Sequence, residues 1–335
     1  MTARFKTIAL FGRPQTDGLA EILDKISRWL NRRSVTVLTQ TNRSTRALQS
    51  LGRRAELGII VGGDGTMLGI ARTLAPLGLP VVGINLGRLG FITDITFSHW
   101  EEALESILEG DFEVEDRALI EVTVIRRGRT VFHARALNDV VVSRSSRTGM
   151  IEIEVKVDGL FMYSPRADGL IVATPTGSTA YALSANGPIL HPALQGLVLV
   201  PVAPQALSNR PIVLPDHCEV SLTIVSGRNP RVNCDMQSFA DLQLEDLIEI
   251  RRSANSSRFL HPPGYSYYAT LRAKLNWHEM PGLKGSTPPM RLRRLPQGGA
   301  ASGRAEPDPR RQLDLLVPLL GWLLREVVRL AHRRG

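Results

Sequence analysis

The stretch Val61-Gly62-Gly63-Asp64-Gly65-Thr66 sets one carboxylate among three glycines, directly after the apolar run that begins at Leu57. Glycines let backbone N–H groups approach an anion that a Cβ would hold away. Between Glu56 and Asp94, Asp64 is the only acidic side chain. A lone carboxylate held against a phosphate-sized cradle points to phosphoryl transfer, with Asp64 as a possible base. A P-loop needs Gly-Lys-Ser/Thr, and none of the lysines (Lys6, Lys25, Lys156, Lys274, Lys284) follows a glycine. Gly63, Gly65 and Gly69 come nearer to a dinucleotide fingerprint. That pattern belongs after a first strand, however, with an acid downstream for the ribose. Here it follows the third expected strand, and residues 65 to 93 contain no acid. The bland reading is a tight turn in which Asp64 only caps a helix.

Two further segments carry unusual chemistry. In Asp168-Gly169-Leu170-Ile171-Val172-Ala173-Thr174-Pro175-Thr176-Gly177-Ser178-Thr179-Ala180-Tyr181, an apolar strand runs into a hydroxyl-dense turn and a helix start. Helix-end N–H groups and the hydroxyls of Thr176, Ser178 and Thr179 favour an anion or a ribose. A capped helix would need only one hydroxyl; this turn has four, counting Thr174. The pair Asn138-Asp139 stands between Leu137 and Val140. A polar pair inside a strand must find partners, and its amide and carboxylate suit ribose hydroxyls or an adenine edge.

The elements that position these groups alternate at first. Strands are expected over 7–11, 35–39, 57–61 and 80–84, and helices over 19–30, 44–51 and 66–74. This is the pattern of a doubly wound parallel sheet, which binds ligands at the C-terminal ends of its strands. Ser98-His99-Trp100-Glu101 reads as a capping box opening a helix to about 108, with Gly110 as its C-cap. From 112 to 252 the texture is β, with strands at 151–157, 170–174, 197–202, 220–225 and 247–252 and one short helix near 179–185, which suggests a sandwich. Residues 281 to 311 read as a linker of Pro, Gly, Ala, Arg and Ser, and 312 to 332 as a basic helix too short to span a bilayer.

At 335 residues the chain can hold two domains. The net charge of +9 is concentrated in residues 282–335, which carry +7 and leave the body nearly balanced. Aromatics are 5% and not interleaved with basic residues, which argues against nucleic acid as a partner. No apolar run reaches the roughly 18 residues of a membrane span, so stable membrane insertion is not expected. The first residues lack the core of a secretory signal. Cys218 and Cys234 are too few for a disulfide framework and suit a reducing cytoplasm.

Taken together, the segments closely resemble the NAD kinases. The match includes Gly62 to Thr66, Asn138-Asp139, Asp168 through Ser184, Leu207-Ser208-Asn209-Arg210-Pro211, Cys234-Asp235-Met236-Gln237, and the run from His261 through Tyr265-Ser266-Tyr267 to Trp277. Gly-Gly-Asp-Gly-Thr alone is shared with diacylglycerol and sphingosine kinases; the long segment ending at Tyr181 is far more selective. The resemblance implies an N-terminal doubly wound α/β domain over 1–95, a β-sandwich domain over 96–255, a closing segment over 256–281 that packs back on the first domain, and a tail over 282–335 without counterpart. It implies ATP-dependent phosphorylation of the 2′-hydroxyl of NAD's adenosine ribose, with Asp64 as general base and a divalent ion, normally Mg²⁺, on the triphosphate. Gly62, Gly63, Gly65 and Thr66 would meet the ATP phosphates. Asp64 and Gly65 would line the ribose, Asn138 and Asp139 would hold the adenosine side, and Asp168 would approach the nicotinamide end. Thr179, Ala180, Tyr181, Ala182, Leu183 and Ser184 would embrace the nucleotide, and Gln237 would reach in from the later β segment. Arg166 resembles the Gram-negative type, which favours ATP over polyphosphate. Relatives form dimers and tetramers, so a homo-oligomer is implied.

The chain departs from that pattern at Asp139, where Glu is usual, at Gln205, where His is common, and at Asn186, in place of Gly. A lipid kinase sharing the glycine turn and a catalytically silent nucleotide-binding regulator are the competing classes. The Asn138-Asp139 pair and the hydroxyl-rich turn argue against the first, and the presence of Asp64 against the second.

Overall fold

The computed structural model describes residues 4–13, 18–39, 44–87, 90–145 and 149–277. The expected linker at 281–311 and basic helix at 312–332 lie outside the described residues. The described residues belong to one compact unit.

The first part alternates as its sequence suggests. Strands β1 (Thr7–Gly12), β2 (Thr36–Thr39), β3 (Leu57–Val61) and β4 (Val81–Asn85) pair in parallel in the order β4-β3-β1-β2. A two-residue strand, β5 (Ile95–Thr96), adds to β4. Successive side chains on a strand point to opposite faces, and both faces here are apolar. Ile8, Leu10, Ile59, Val61, Val82 and Ile84 pack with residues of α1 (Leu19–Asn31) and α4 (Trp100–Glu109), where Trp29 meets Trp100 edge-on at 5.3 Å. Ala9, Phe11, Ile60 and Val81 pack with α2 (Thr45–Gly52) and α3 (Asp64–Leu74) on the other side. Ser44 caps α2 through the Ala47 N–H at 3.2 Å, and Gly110 closes α4 in the left-handed conformation. The expected capping box of α4 does not form. Its N-cap is His99, without a side-chain cap, and the Ser98 hydroxyl bonds Thr96 instead.

The rest is β-rich. In chain order it comprises β6 (Glu113–Arg126), β7 (Arg129–Ala136), β8 (Asp139–Arg144), β9 (Ile151–Val157), β10 (Leu160–Tyr163), β11 (Arg166–Ala167), β12 (Gly169–Ala173), the single-turn α5 (Tyr181–Ser184), β13 (Gly196–Val202), β14 (Ile212–Pro215), β15 (Val220–Ser226), β16 (Pro230–Cys234), β17 (Ser238–Asp241), β18 (Leu247–His261) and α6 (Tyr267–Leu275). One antiparallel sheet runs β14-β13-β12-β8-β16-β17. The other joins β6, β7, β9, β10, β11, β15 and β18. Their facing sides interdigitate through Ile120, Val142, Val172, Leu199, Leu222 and Ile248, which makes the expected sandwich.

The second sheet does not stop at the sandwich. β18 pairs with β15 through Leu247–Ile250, with β6 along nearly its whole length, and in parallel with β4 at Phe259. The α/β sheet and one sandwich sheet are therefore a single 12-stranded sheet. The boundary expected between residues 255 and 256 falls inside this strand, where a register shift between Arg252 and Ser256 bends it without ending it.

Phe259 sits at that junction, 1% exposed, packed with Phe11, Ile60, Leu119 and Leu137. Emptying such a site typically costs about 3–5 kcal/mol. Phe259→Ala is expected to lower stability by about that much, and urea unfolding should show one shifted transition in which both the α/β part and the sandwich are lost together.

Candidate functional site

The glycine turn joins β3 to α3. Gly62 has φ +151°, a conformation reserved for glycine, and its N–H donates to Ile84 of the neighbouring strand at 2.9 Å. Gly63 and Gly65 are different. A Cβ at either would meet nothing, so the fold itself does not demand glycine there and the space in front of both is open. The N–H groups of Gly63, Asp64 and Gly65 have no backbone partner. Unpaired donors at a helix start, with no Cβ in the way, are a receptor for phosphate oxygens. Asp64 is the first residue of α3, half-buried at this edge. Beside it opens a cleft of about 500 Å³, whose lining includes Arg13, Thr45, Gly65, Thr66, Arg72 and Gln237. Nucleotide sites fall in this size range.

Asn138 and Asp139 sit where β7 hands over to β8, and their backbone is fixed from elsewhere in the chain. The Asp235 carboxylate accepts the N–H groups of Leu137 at 2.9 Å, Asn138 at 2.8 Å and Asp139 at 3.2 Å. Its second oxygen also takes Arg72 Nη1 of α3 at 2.9 Å. Arg72 Nη2 donates to Gln237 Oε1 at 3.2 Å, and Gln237 Nε2 donates to the Gly65 carbonyl at 2.8 Å. The glycine turn and the Asn-Asp pair are thus tied together through Asp235, Arg72 and Gln237. Asn138 Oδ1 is buried and has no partner, an acceptor left over for a ligand. The Asp139 carboxyl is 3% exposed; burial, and then the charge of Asp235, push it up to about 7. Burial also raises Asp235, against the lowering influence of Arg72 and of the three N–H groups it accepts.

The hydroxyl-rich turn also docks on this pair. Thr174 N–H donates to the Asn138 carbonyl at 2.9 Å, and the Thr174 hydroxyl bonds the Leu137 carbonyl. Gly177 lies so close to Asn138 that a Cβ would overlap its carbonyl oxygen. The expectation that the hydroxyls themselves bind an anion needs correction. Ser178 Oγ bonds Pro175 at 2.6 Å and receives the Leu190 N–H at 2.9 Å, and Thr179 Oγ1 bonds the Thr176 carbonyl at 3.1 Å. Thr176 takes Arg117 Nη1 at 3.3 Å. These hydroxyls hold the turn together. α5 is only one turn long, and Ala182 is fully buried against Val141, Ile171 and Val200, so its side chain packs the core. Thr179, Ala180 and Leu183 are half-buried, and Tyr181 and Ser184 are exposed.

Arg166 and Asp168 lie elsewhere. Asp168 precedes β12, and the Asn138 contact follows that strand's other end; six residues at strand rise put them about 20 Å apart. There Asp168 forms a two-point ion pair with Arg144 (2.6 and 3.0 Å), whose hydrogen bonds hold its carboxyl below the usual range. Asn186, in place of the family's Gly, has φ +62°, a conformation that Asn tolerates better than most residues. Gln205 is exposed, its N–H bonded to the Arg166 carbonyl at 2.8 Å.

Sequence reasoning missed Asp235 as the organiser, as well as Arg72, Asn85 and the segment from Gly90 to Asp94. Asn85 inside an apolar strand, followed by Gly87, Gly90 and Thr93, was a usable signal. A second cluster it missed is buried. His261 Nδ1 faces Asp94 at 2.8 Å and its Nε2 faces Glu115 at 3.2 Å, with Tyr265 stacked on the ring at 3.8 Å. Burial alone would depress His261, but the two carboxylates lift it to about 9.

The comparisons with known proteins bear on the family and the fold. Residues 39–112 match the model of the ATP-NAD kinase N-terminal domain and residues 137–262 that of the ATP-NAD kinase C-terminal domain. An NAD kinase of Paraburkholderia phymatum is 55% identical over 83% of this chain and 96% of its own length; one of Burkholderia pseudomallei is 54% identical over the same shares. Among solved structures, a yeast NADH kinase complexed with NADH superposes with TM-score 0.76 at 22% identity, covering 84% of this chain and 90% of its own, and supports the fold. An NAD kinase from Archaeoglobus fulgidus in complex with ATP gives TM-score 0.64 at 27% identity, covering 81% and 98%. The chain belongs to the ATP-NAD kinase family.

The folded His261 holds its proton to about pH 9, against about 6.5 when unfolded. Its ion pairs therefore contribute fully below pH ~6.5 and are lost as pH rises through about 9, a change of up to about 3 kcal/mol. Urea unfolding at pH 6.5 and 9.5 is expected to show this loss in the native chain and a much smaller one in His261→Gln.

Proposed function

We propose that the chain transfers the γ-phosphoryl group of ATP to the 2′-hydroxyl of the adenosine ribose of NAD, giving NADP, with Asp64 as the general base. The activity follows the family. The role of Asp64 is carried by one observation: it is the carboxylate at an open turn of unpaired N–H donors, tied through Gln237 and Asp235 to the Asn138-Asp139 pair. Phosphoryl transfer needs alignment and charge stabilisation more than covalent help. The N–H groups of Gly63 and Gly65 would receive phosphate oxygens, with Gly62 shaping the turn and Thr66 lining the cleft. Asn138 Oδ1 and the Asp139 carboxyl would accept from the adenosine, and Asp64 would take the proton of the attacking 2′-hydroxyl. A lipid kinase would share the glycine turn but not the match of both family domains.

A divalent ion, Mg²⁺ by its chemistry, fits as a companion of the triphosphate. Among the described residues no three His, Cys, Asp or Glu side chains converge as a cage, and Mg²⁺ is usually held by substrate phosphates with at most one or two carboxylates. Such an ion neutralises developing charge on the phosphoryl oxygens. Arg166 and Asp168, at the far end of β12, would meet the nicotinamide end of an extended dinucleotide, and a homo-oligomer is the assembly that the family resemblance implies. Among the described residues no helix is long and apolar enough to cross a membrane. Two buried free cysteines, Cys218 and Cys234, suit a reducing cytoplasm.

Incubation with ATP, Mg²⁺ and NAD, assayed for NADP, tests the activity. A positioned base supplies about 10²–10⁴ in rate, so Asp64→Asn is expected to lower turnover about a hundredfold or more while NAD affinity changes only a few-fold. A loss below tenfold would make Asp64 an orienting group only. Asp139, raised to about 7, binds ribose hydroxyls best as a carboxylate. NAD affinity measured by calorimetry should therefore rise several-fold from about pH 6 to pH 8, on the scale of a charge-assisted hydrogen bond, and Asp139→Asn should abolish that rise.

A further inference from the structure

Asp64 is gripped on both oxygens. Oδ2 accepts the Phe91 N–H at 2.8 Å, and Oδ1 accepts the Thr93 hydroxyl at 3.0 Å. The segment making this grip comes so near that a Cβ at Gly90 would overlap the carboxylate. Thr93 Oγ1 is oriented in turn by Asn85 Nδ2 at 2.7 Å. The other end of the segment is held by the residue after Thr93, since Asp94 Oδ2 meets His261 Nδ1.

His261 is the last residue of β18 and is buried. Its groups can be followed element by element. Asp94 faces Nδ1 from the segment after β4. Glu115 of β6 faces Nε2 and also accepts Arg117 Nε at 2.8 Å. Tyr265, from the segment after β18, stacks on the ring and lies 3.5 Å from Arg117 Nη2. Glu113, opposite His261 in the β6–β18 register, is engaged by the Gly264 N–H at 3.1 Å. An imidazole facing a carboxylate at each nitrogen donates from both only as the imidazolium. Arg117 carries the line onward to Thr176 of the hydroxyl-rich turn at 3.3 Å.

We propose that His261 is a positioning residue for phosphoryl transfer: as an imidazolium between Asp94 and Glu115, it locks the Gly90–Asp94 segment that orients the Asp64 carboxylate, and links it through Arg117 to the turn that docks on Asn138. The proposal rests on Asp64 acting as the base. It predicts a geometric fault at the reacting carboxylate rather than at the nucleotide contacts. A displacement of about 1 Å can cost on the order of a hundredfold in rate.

The test compares the native chain, His261→Gln and Asp94→Asn at pH 6.5 to 10 with ATP, Mg²⁺ and NAD, together with hydrogen exchange of the 90–94 segment without substrates. His261→Gln is expected to lower kcat roughly ten- to hundredfold with KM for NAD and ATP within about threefold, to speed exchange at Phe91 and Ile92, and to remove the alkaline fall of kcat. Asp94→Asn, which leaves the imidazole one carboxylate, should keep the fold and move that alkaline fall to lower pH. Unchanged exchange at Phe91 and Ile92 in both variants would overturn the proposal, as would a native alkaline limb in either. A native chain that forms no NADP would instead overturn the reading of the activity, and the exchange data would still decide whether His261 holds the segment.

Discussion

The two oxygens of Asp235 take four donors from two parts of the chain: the consecutive N–H groups of Leu137, Asn138 and Asp139, and the guanidinium of Arg72. A buried carboxylate is costly unless it is paired and hydrogen-bonded in this way. Its position is therefore set narrowly, and two distant parts of the chain are set with it. α3, which begins at Asp64, is fastened through Arg72. The start of β8, which carries Asp139, is fastened through its own backbone. Gln237, two residues on, reaches back to the Gly65 carbonyl and closes the loop of contacts. Gly69 makes room for it, since a Cβ there would crowd Gln237 Oε1. The distance between Asp64 and the Asn138-Asp139 pair is thus set largely by one carboxylate.

The polar groups of the glycine turn, the Asn138-Asp139 pair and the hydroxyl-rich turn divide into those that are satisfied internally and those that are not. The hydroxyls of Thr174, Ser178 and Thr179 belong to the first set and maintain a turn that presses on Asn138. The N–H groups of Gly63 and Gly65 and the Oδ1 of Asn138 belong to the second. Only the second set has hydrogen-bonding capacity left over, because a donor or acceptor already engaged inside the protein gains little by exchanging partners. Asp139 is intermediate: its charge is suppressed first by burial and then by Asp235, the same carboxylate that fixes the geometry.

Much of this was legible in the sequence. The alternation through residue 95 gave the parallel sheet because both faces of β1, β3 and β4 are apolar, and the glycine turn stood out because its carboxylate is isolated along the chain. The segment from Asp168 to Tyr181 was recognisable as unusual, but composition shows hydroxyls and does not show that they bond to their own turn. The distance between Asp168 and Asn138 was hidden for a related reason. Only the antiparallel register of β8 and β12 shows that the two lie at opposite strand ends. Asp235 looked like one member of a motif, whereas its partners lie 96 to 163 residues away. The expected capping box failed because Ser98 found a nearer hydroxyl in Thr96. Long-range pairings of this kind leave no local periodicity.

The uninterrupted course of β18 carries a mechanical consequence. A strand hydrogen-bonded to β15 at one end and to β4 at the other, and flanked by β6 along most of its length, acts as a beam shared by both halves of the molecule. A clamshell motion, in which two lobes swing about a flexible joint to admit and release nucleotide, would have to break this beam. The two halves are therefore held as one frame by a shared strand, rather than as lobes joined by a linker.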